Sequence, residues 1–193
     1  MRLCVFCGSR AGGRPVFAEQ ARAFGRLLAA RGVGLVYGGG HVGLMGILAD
    51  AVLAEGGEVR GVIPRALQDR ELAHQRLTEL HVVETMHQRK ALMADLADGF
   101  AALPGAFGTG DELFEILTWA QLGLHGKPIG LLNAAGFFDP LLAWIDRAVE
   151  EAFLKPQHRD LLLVADEPGR LLDLLLNPPP REQTEKWLER NDR

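Results

Sequence analysis

Short, uninterrupted apolar runs recur along the chain, each followed by a stretch whose apolar residues return every three or four positions. Runs without alternation predict strands buried on both faces, and the helical spacing after them predicts helices packed on those faces. Strands are expected over residues 3–6, 34–37, 59–63, 80–83, 100–103, 128–132 and 161–164. Helices are expected over 16–30, 44–55, 86–96, 109–122, 140–153 and 168–176, with 64–75 polar and irregular around a short helix. Such alternation predicts an α/β fold: a Rossmann-like, doubly wound parallel sheet of about seven strands with helices on both faces. One domain is expected over 1–177. The run Asn177-Pro178-Pro179-Pro180 opens a Pro-rich linker and charged tail over 178–193, a tethered helix or a disordered segment.

Sheets of this kind bind ligands at the carboxyl ends of their strands. Three glycine-rich turns, after the first, second and fifth strands, fall at that edge. The fifth is the most distinctive, Phe100-Ala101-Ala102-Leu103-Pro104-Gly105-Ala106-Phe107-Gly108-Thr109-Gly110-Asp111-Glu112. A strand, a glycine loop and a helix start present free backbone N–H groups and the positive end of a helix dipole, which suits a phosphate. A competing reading makes Thr109 an N-cap, with Glu112 completing a capping box. Gly105 and Gly110 have Walker A spacing, but Asp111 and Glu112 stand where that motif needs Lys and Ser/Thr, so an ATPase loop is rejected.

After the second strand, Gly38, Gly40 and Gly43 satisfy G-x-G-x-x-G. The next strand ends Ile63-Pro64-Arg65 without the acidic residue a dinucleotide needs, so NAD is not expected. Thr85 and Gln88 predict a capping box, which puts Arg89 and Lys90 at the positive end of a helix dipole. Cations there call for an anion: Glu84, a carboxylate of the central loop, or a ligand phosphate. A phosphate cradle, Glu112 and Arg89 would meet at one sheet edge. Cleavage of an N-glycosidic bond needs that set, although spacing alone does not single the reaction out.

Composition narrows the field. The net charge of −4 over 193 residues argues against a general nucleic-acid or membrane-surface binder. No stretch is long and apolar enough to span a bilayer, and the N-terminus reads directly as a strand, so the cytoplasm is the expected compartment. Cys4 and Cys7 form a CxxC, but within or at the end of a strand rather than at a helix start. Residues three apart on a strand face opposite ways, so both read as packing residues, and no metal site is expected.

The stretches Tyr37-Gly38-Gly39-Gly40-His41-Val42-Gly43-Leu44-Met45-Gly46, Met86-His87-Gln88-Arg89-Lys90, Pro104 to Glu112 and Thr118-Trp119-Ala120-Gln121-Leu122-Gly123 resemble the Lonely Guy (LOG) family of cytokinin-activating phosphoribohydrolases. Members are often labelled lysine decarboxylases, yet no lysine here stands out as a pyridoxal-phosphate lysine. The resemblance, from Cys4 to about Leu176, implies a Rossmann-like homodimer. It would hydrolyse a nucleoside 5′-monophosphate, AMP or an N6-prenylated AMP, to free base and ribose 5-phosphate without a cofactor. By that resemblance Arg89 and Glu112 form the catalytic pair. Gly105, Ala106, Phe107, Gly108 and Thr109 hold phosphate, Met86, Lys90 and Thr118 lie near the nucleotide, and Gly8, Ser9, Gly39 and Gly40 line the pocket. Glu71 is a weaker substrate contact. Two positions depart from the family pattern: Ala106 replaces the second glycine of Pro-Gly-Gly-x-Gly-Thr, and Gly110 stands where a larger residue is common. A methyl at 106 would be strained if φ were positive there or if a phosphate had to approach closely. That departure supports a rival, a non-cleaving nucleotide or molybdenum-cofactor carrier on the same fold. The apolar helices over 44–54 and 113–122 read as a dimer face or as core.

Overall fold

The computed structural model describes residues 1–68 and 73–180. Its strands are β1 (Arg2–Phe6), β2 (Gly34–Tyr37), β3 (Val59–Pro64), β4 (Glu79–Val83), β5 (Gly99–Ala102), β6 (Ile129–Leu132) and β7 (Leu162–Ala165). They form one sheet in the order β4-β3-β2-β1-β5-β6-β7, with every neighbouring pair parallel. The helices are α1 (Pro15–Ala30), α2 (Gly43–Ala54), α3 (Arg65–Gln68), α4 (Met86–Leu96), α5 (Phe107–Gln121), α6 (Asp139–Glu150), α7 (Pro156–Arg159) and α8 (Pro168–Leu176).

Strands apolar on both sides need cover on both faces. Helices α1, α2 and α8 bury one face over Leu3, Val5, Leu35 and Leu163. Helices α4, α5 and α6 bury the other over Cys4, Phe6, Val36, Phe100 and Leu131. The doubly wound sheet is therefore the expected one, and the apolar residues of α2 and α5 serve largely as core. Cys4 joins one cluster and Cys7 the other, as strand alternation requires. Both are free, buried thiols, and burial pushes each pKa up.

Helix ends follow local chemistry. Pro15 opens α1, where its missing N–H leaves no bond unmade. At its far end Val33 N donates to Leu28 O at 2.9 Å and Gly32 N to Ala29 O at 3.0 Å, closing the helix at the expected glycine. Helix α6 stops at Glu150, short of the expected Phe153. Ala152 takes φ 61°, and the N–H groups of Phe153 and Leu154 both turn back to Ala148 O. Leu154 then packs against the core, and Phe153 is left exposed. The 3-10 turn Ala134–Gly136 and α7 had no sequence signal that separated them from loop. The irregular stretch after β3 does contain a short helix, α3. Glu71 and tail residues 181–193 lie outside the described residues.

Strand order reverses between β1 and β5, so the loops that follow them diverge. Crevices at such switch points are where open α/β sheets hold ligands.

Candidate active site

A cavity of about 470 Å³ occupies that crevice, within the size range of small-molecule sites. The loop after β1 supplies Gly8, Ser9 and Arg10, the loop after β5 supplies Pro104 to Ala106, and α4 and α5 supply Met86, Arg89, Gly108, Thr109, Asp111 and Glu112. The two loops are stitched together. Gly8 N donates to Pro104 O and Leu44 N donates to Gly8 O, both at 3.0 Å.

Helix α5 begins two residues before the expected start, and this overturns the capping reading of Thr109. Ala106 precedes the first helical residue, Phe107, and no side chain caps the first amides. Thr109 lies inside the first turn, buried, with its hydroxyl against Gly105 where any side chain would collide with it. The Thr109–Glu112 capping box is not formed. The first turn of α5 therefore opens on the cavity with uncapped N–H groups, which is what an anion requires. Ala106 has φ −113°, so its methyl group carries no left-handed strain, and its side chain is exposed.

Helix α4 starts as expected. Thr85 Oγ1 accepts from Gln88 N at 3.1 Å, while Gln88 Oε1 accepts from Thr85 N at 3.2 Å. One residue later, Arg89 is only 7% exposed. Its Nη2 donates to Gly38 O at 3.3 Å and lies 3.9 Å from Glu112 Oε1. The guanidinium rests directly over Gly38, where a Cβ would overlap it. That ion pair is too long for a hydrogen bond, and the buried Arg89 Nε has no partner among the described residues. Arg89 thus faces the cavity with donors to spare.

Burial lifts the Glu112 carboxyl from 4.5 to about 7; Arg89 opposes that shift and Asp111 adds to it. A carboxyl poised there suits acid–base or electrostatic work at neutral pH. The compensating anions for the α4 cations come from α5. Lys90 Nζ lies 3.1 Å from both Asp111 and Glu115, whereas Glu84 pairs with Arg65 at 3.3 Å. Burial disfavours the Lys90 ammonium, but its bonds to Glu115 and Asp111 outweigh this and raise its pKa.

The remaining expected residues are spread more widely. Gly8, Ser9, Met86, Gly105, Ala106, Gly108 and Thr109 line the cavity beside Arg89 and Glu112. Lys90 lies behind it, bound to α5. Phe107 is 95% exposed and is not part of the cavity lining. Thr118 is exposed on α5, its hydroxyl donating to Phe114 O at 2.7 Å. Gly39 and Gly40 sit outside the cavity wall, beneath the segment that follows residue 72. There His74 N donates to Gly39 O at 3.0 Å, and Ala73 bridges to Gly40.

His74 pins that segment. Its Nδ1 accepts from Arg76 N at 3.2 Å, so Nε2 carries the proton given to Asp50 Oδ1, also at 3.2 Å. His74→Ala is expected to lower stability by about 1–3 kcal/mol, read as an earlier midpoint in urea. An unchanged midpoint would show that the segment holds without it.

Several lining residues were not among the expected contacts, Arg10, Phe17, Met45 and Phe137 among them. Phe17 and Phe137 meet edge to face at 5.6 Å and give the cavity an apolar wall. A pair of phenylalanines just after β6, at the ligand-binding edge, was the hint available.

Fold and site together define a Rossmann-like α/β protein with a crevice at its switch point onto which an uncapped helix start opens. A family model described as "possible lysine decarboxylase" matches residues 45–175. Cytokinin riboside 5′-monophosphate phosphoribohydrolase LOG1 of Arabidopsis thaliana is 47% identical over 182 residues, 94% of this chain and 85% of that protein. The probable enzyme of the same name, LOGL1, from Oryza sativa subsp. japonica is 50% identical over 171 residues, 89% of this chain and 77% of that protein. The chain belongs to this family, the LOG family. Among solved structures, a molybdenum cofactor binding protein from Rippkaea orientalis superposes with TM-score 0.69 at 20% identity, covering 91% of this chain and 94% of that one. The molybdenum cofactor carrier protein of Chlamydomonas reinhardtii gives 0.68 at 20%, covering 91% and 97%. At that identity the likeness establishes the fold alone.

The decarboxylase description finds no imine-forming lysine among those near the core in the described residues. Lys90 is held by two carboxylates, and Lys127 Nζ donates to Ala94 O and Ala97 O at 2.7 Å. Among the described residues no helix is long and apolar enough to cross a membrane.

Proposed function

We propose that the protein hydrolyses the N-glycosidic bond of a nucleoside 5′-monophosphate, AMP or an N6-prenyl-AMP, releasing the base and ribose 5-phosphate. The carrying observation is that the Arg89–Glu112 pair and the uncapped start of α5 open on one cavity. The phosphate takes the amides of the α5 first turn and positions the sugar, supplying binding energy from a part of the substrate that does not react. As the C1′–N bond breaks, its electrons leave with the base and C1′ becomes oxocarbenium-like. The Glu112 carboxylate stabilises that cation and orients water on C1′, taking a proton as the new C–O bond forms; that proton then passes to the departing base, which leaves neutral. Arg89 holds Glu112 in place and offsets substrate charge. No step calls on a cofactor.

The activity named for the relatives supports this reading, as does the presence of both Arg89 and Glu112. The carrier alternative rested on Ala106, and its φ of −113° removes the part of that argument that called for backbone strain. We further propose a cytoplasmic homodimer. Exposed Phe107, Phe114, Trp144 and Phe153 give it an apolar surface to cover.

Incubation with AMP and chromatography for free adenine tests the proposal. Adenine and ribose 5-phosphate appearing in equal amounts is the expected result. Tight AMP binding with no base released from AMP or from isopentenyl-AMP would overturn it in favour of a carrier.

A further inference from the structure

The phosphate this site is built for would arrive in acidic surroundings. The two α4 cations face three α5 carboxylates: Arg89 meets Glu112, and Lys90 meets Asp111 and Glu115. This cluster therefore offers no net positive charge to a phosphate that itself carries about −1.5 to −2 at pH 7, although Arg89 keeps donors for it. The helix dipole offsets only part of this, roughly half a charge.

One cation on the cavity wall is uncommitted. Arg10 lines the cavity, its residue is exposed, and among the described residues no hydrogen bond or ion pair engages its side chain. Its neighbour Arg14 is occupied differently, stacked 5.6 Å from the Phe17 ring centroid. The Arg10 backbone is also fixed. Gly8, two residues earlier, is bonded to both Pro104 and Leu44. Gly43 closes so tightly on Ser9 and Arg10 that a Cβ there would collide with their backbone. A held backbone with a free guanidinium at the mouth of an anion cradle is the arrangement of a clamp. Its planar fork can grip two phosphate oxygens at once.

We infer that Arg10 is the residue that selects a 5′-phosphate over the unphosphorylated nucleoside, closing its guanidinium on the phosphate held at the start of α5. The inference rests on the phosphoribohydrolase reading for the identity of the ligand and adds the determinant of its charge selectivity. Because ribose 5-phosphate is not consumed, its binding can be read whether or not the protein cleaves AMP.

Calorimetry of ribose 5-phosphate, AMP and adenosine against wild type, Arg10→Ala and Arg10→Lys provides the test. Arg10→Ala should bind ribose 5-phosphate roughly 10- to 100-fold more weakly, adenosine binding should change less than about twofold, and the ligand-free Tm should stay put. Arg10→Lys should recover part of the loss, because charge survives while the fork does not. Ribose 5-phosphate binding within about threefold of wild type in Arg10→Ala would overturn the inference, as would equal weakening of AMP and adenosine. A wild type that binds AMP through Arg10 but releases no adenine would sink the hydrolase reading and leave the clamp standing. A wild type that binds no phosphate compound would end both.

Discussion

Glu112→Gln is expected to lower kcat for AMP cleavage by about a thousandfold while AMP still binds. The amide keeps the size of the carboxyl and its place beside Arg89, so the cavity is preserved. What it loses is the charge that answers the developing cation at C1′ and the base that takes the proton from water. Removing a negative charge near a phosphate should leave Kd unchanged or somewhat tighter. Chromatography of adenine gives kcat and calorimetry gives Kd; a variant with near-normal kcat would end the assignment.

The same residue sets a pH signature. With a pKa near 7, Glu112 loses its charge as pH falls through neutrality, so wild-type kcat should fall with it. Stability runs the other way. The folded chain keeps a proton that the unfolded chain has released above pH 4.5, so wild type loses stability as pH rises from there through about 7. The loss is on the order of 2–3 kcal/mol. Glu112→Gln lacks it. The Tm difference between the two proteins should therefore move in the variant's favour between about pH 5 and about pH 8. A constant difference would mean that Glu112 titrates where an exposed glutamate does.

Much of this fold could be read from the chain because the signals were local. Uninterrupted apolar runs marked the strands, and alternation along and just past β1 placed Cys4 and Cys7 on opposite faces. The Thr85–Gln88 box formed as its spacing suggests. Thr109 misled for an equally local reason. It has the residues of a cap, but the glycine at 105 lets its hydroxyl tuck beneath the loop, and the helix starts earlier. Spacing could show that Arg89 and Lys90 need anions but could not choose among them. The choice of Asp111, Glu112 and Glu115 over Glu84 is made by the sheet, which sets the starts of α4 and α5 side by side although Lys90 and Asp111 are 21 positions apart in the chain. The apolar wall of Phe17 and Phe137 is still less local, since its two members sit on opposite sides of the switch point.

The contact least visible in the sequence yields the other large effect: Gly38→Ala should disable the site nearly as thoroughly as Arg89→Ala, lowering kcat by about a hundredfold or more. Gly38 reads as one glycine of a dinucleotide-like turn, yet its φ is not positive, so alanine fits its backbone. The new methyl group would instead meet Arg89 Nη2, with Cζ at 3.1 Å and Met45 sulfur at 3.5 Å. The guanidinium must leave, giving up its bond to Gly38 O and its place opposite Glu112. Because the cavity offers it room, folding stability should suffer much less than kcat. Glu112, without its counter-charge, should titrate still higher, so the acid limb of the kcat profile should move to higher pH. A double-mutant cycle identifies the route. If Gly38→Ala acts only by displacing Arg89, combining it with Arg89→Ala should change kcat little further, well short of the product of the single effects. Independent, multiplying losses would mean that Gly38 contributes through the β2 turn itself, and wild-type kcat in Gly38→Ala would mean that Arg89 can work from another position.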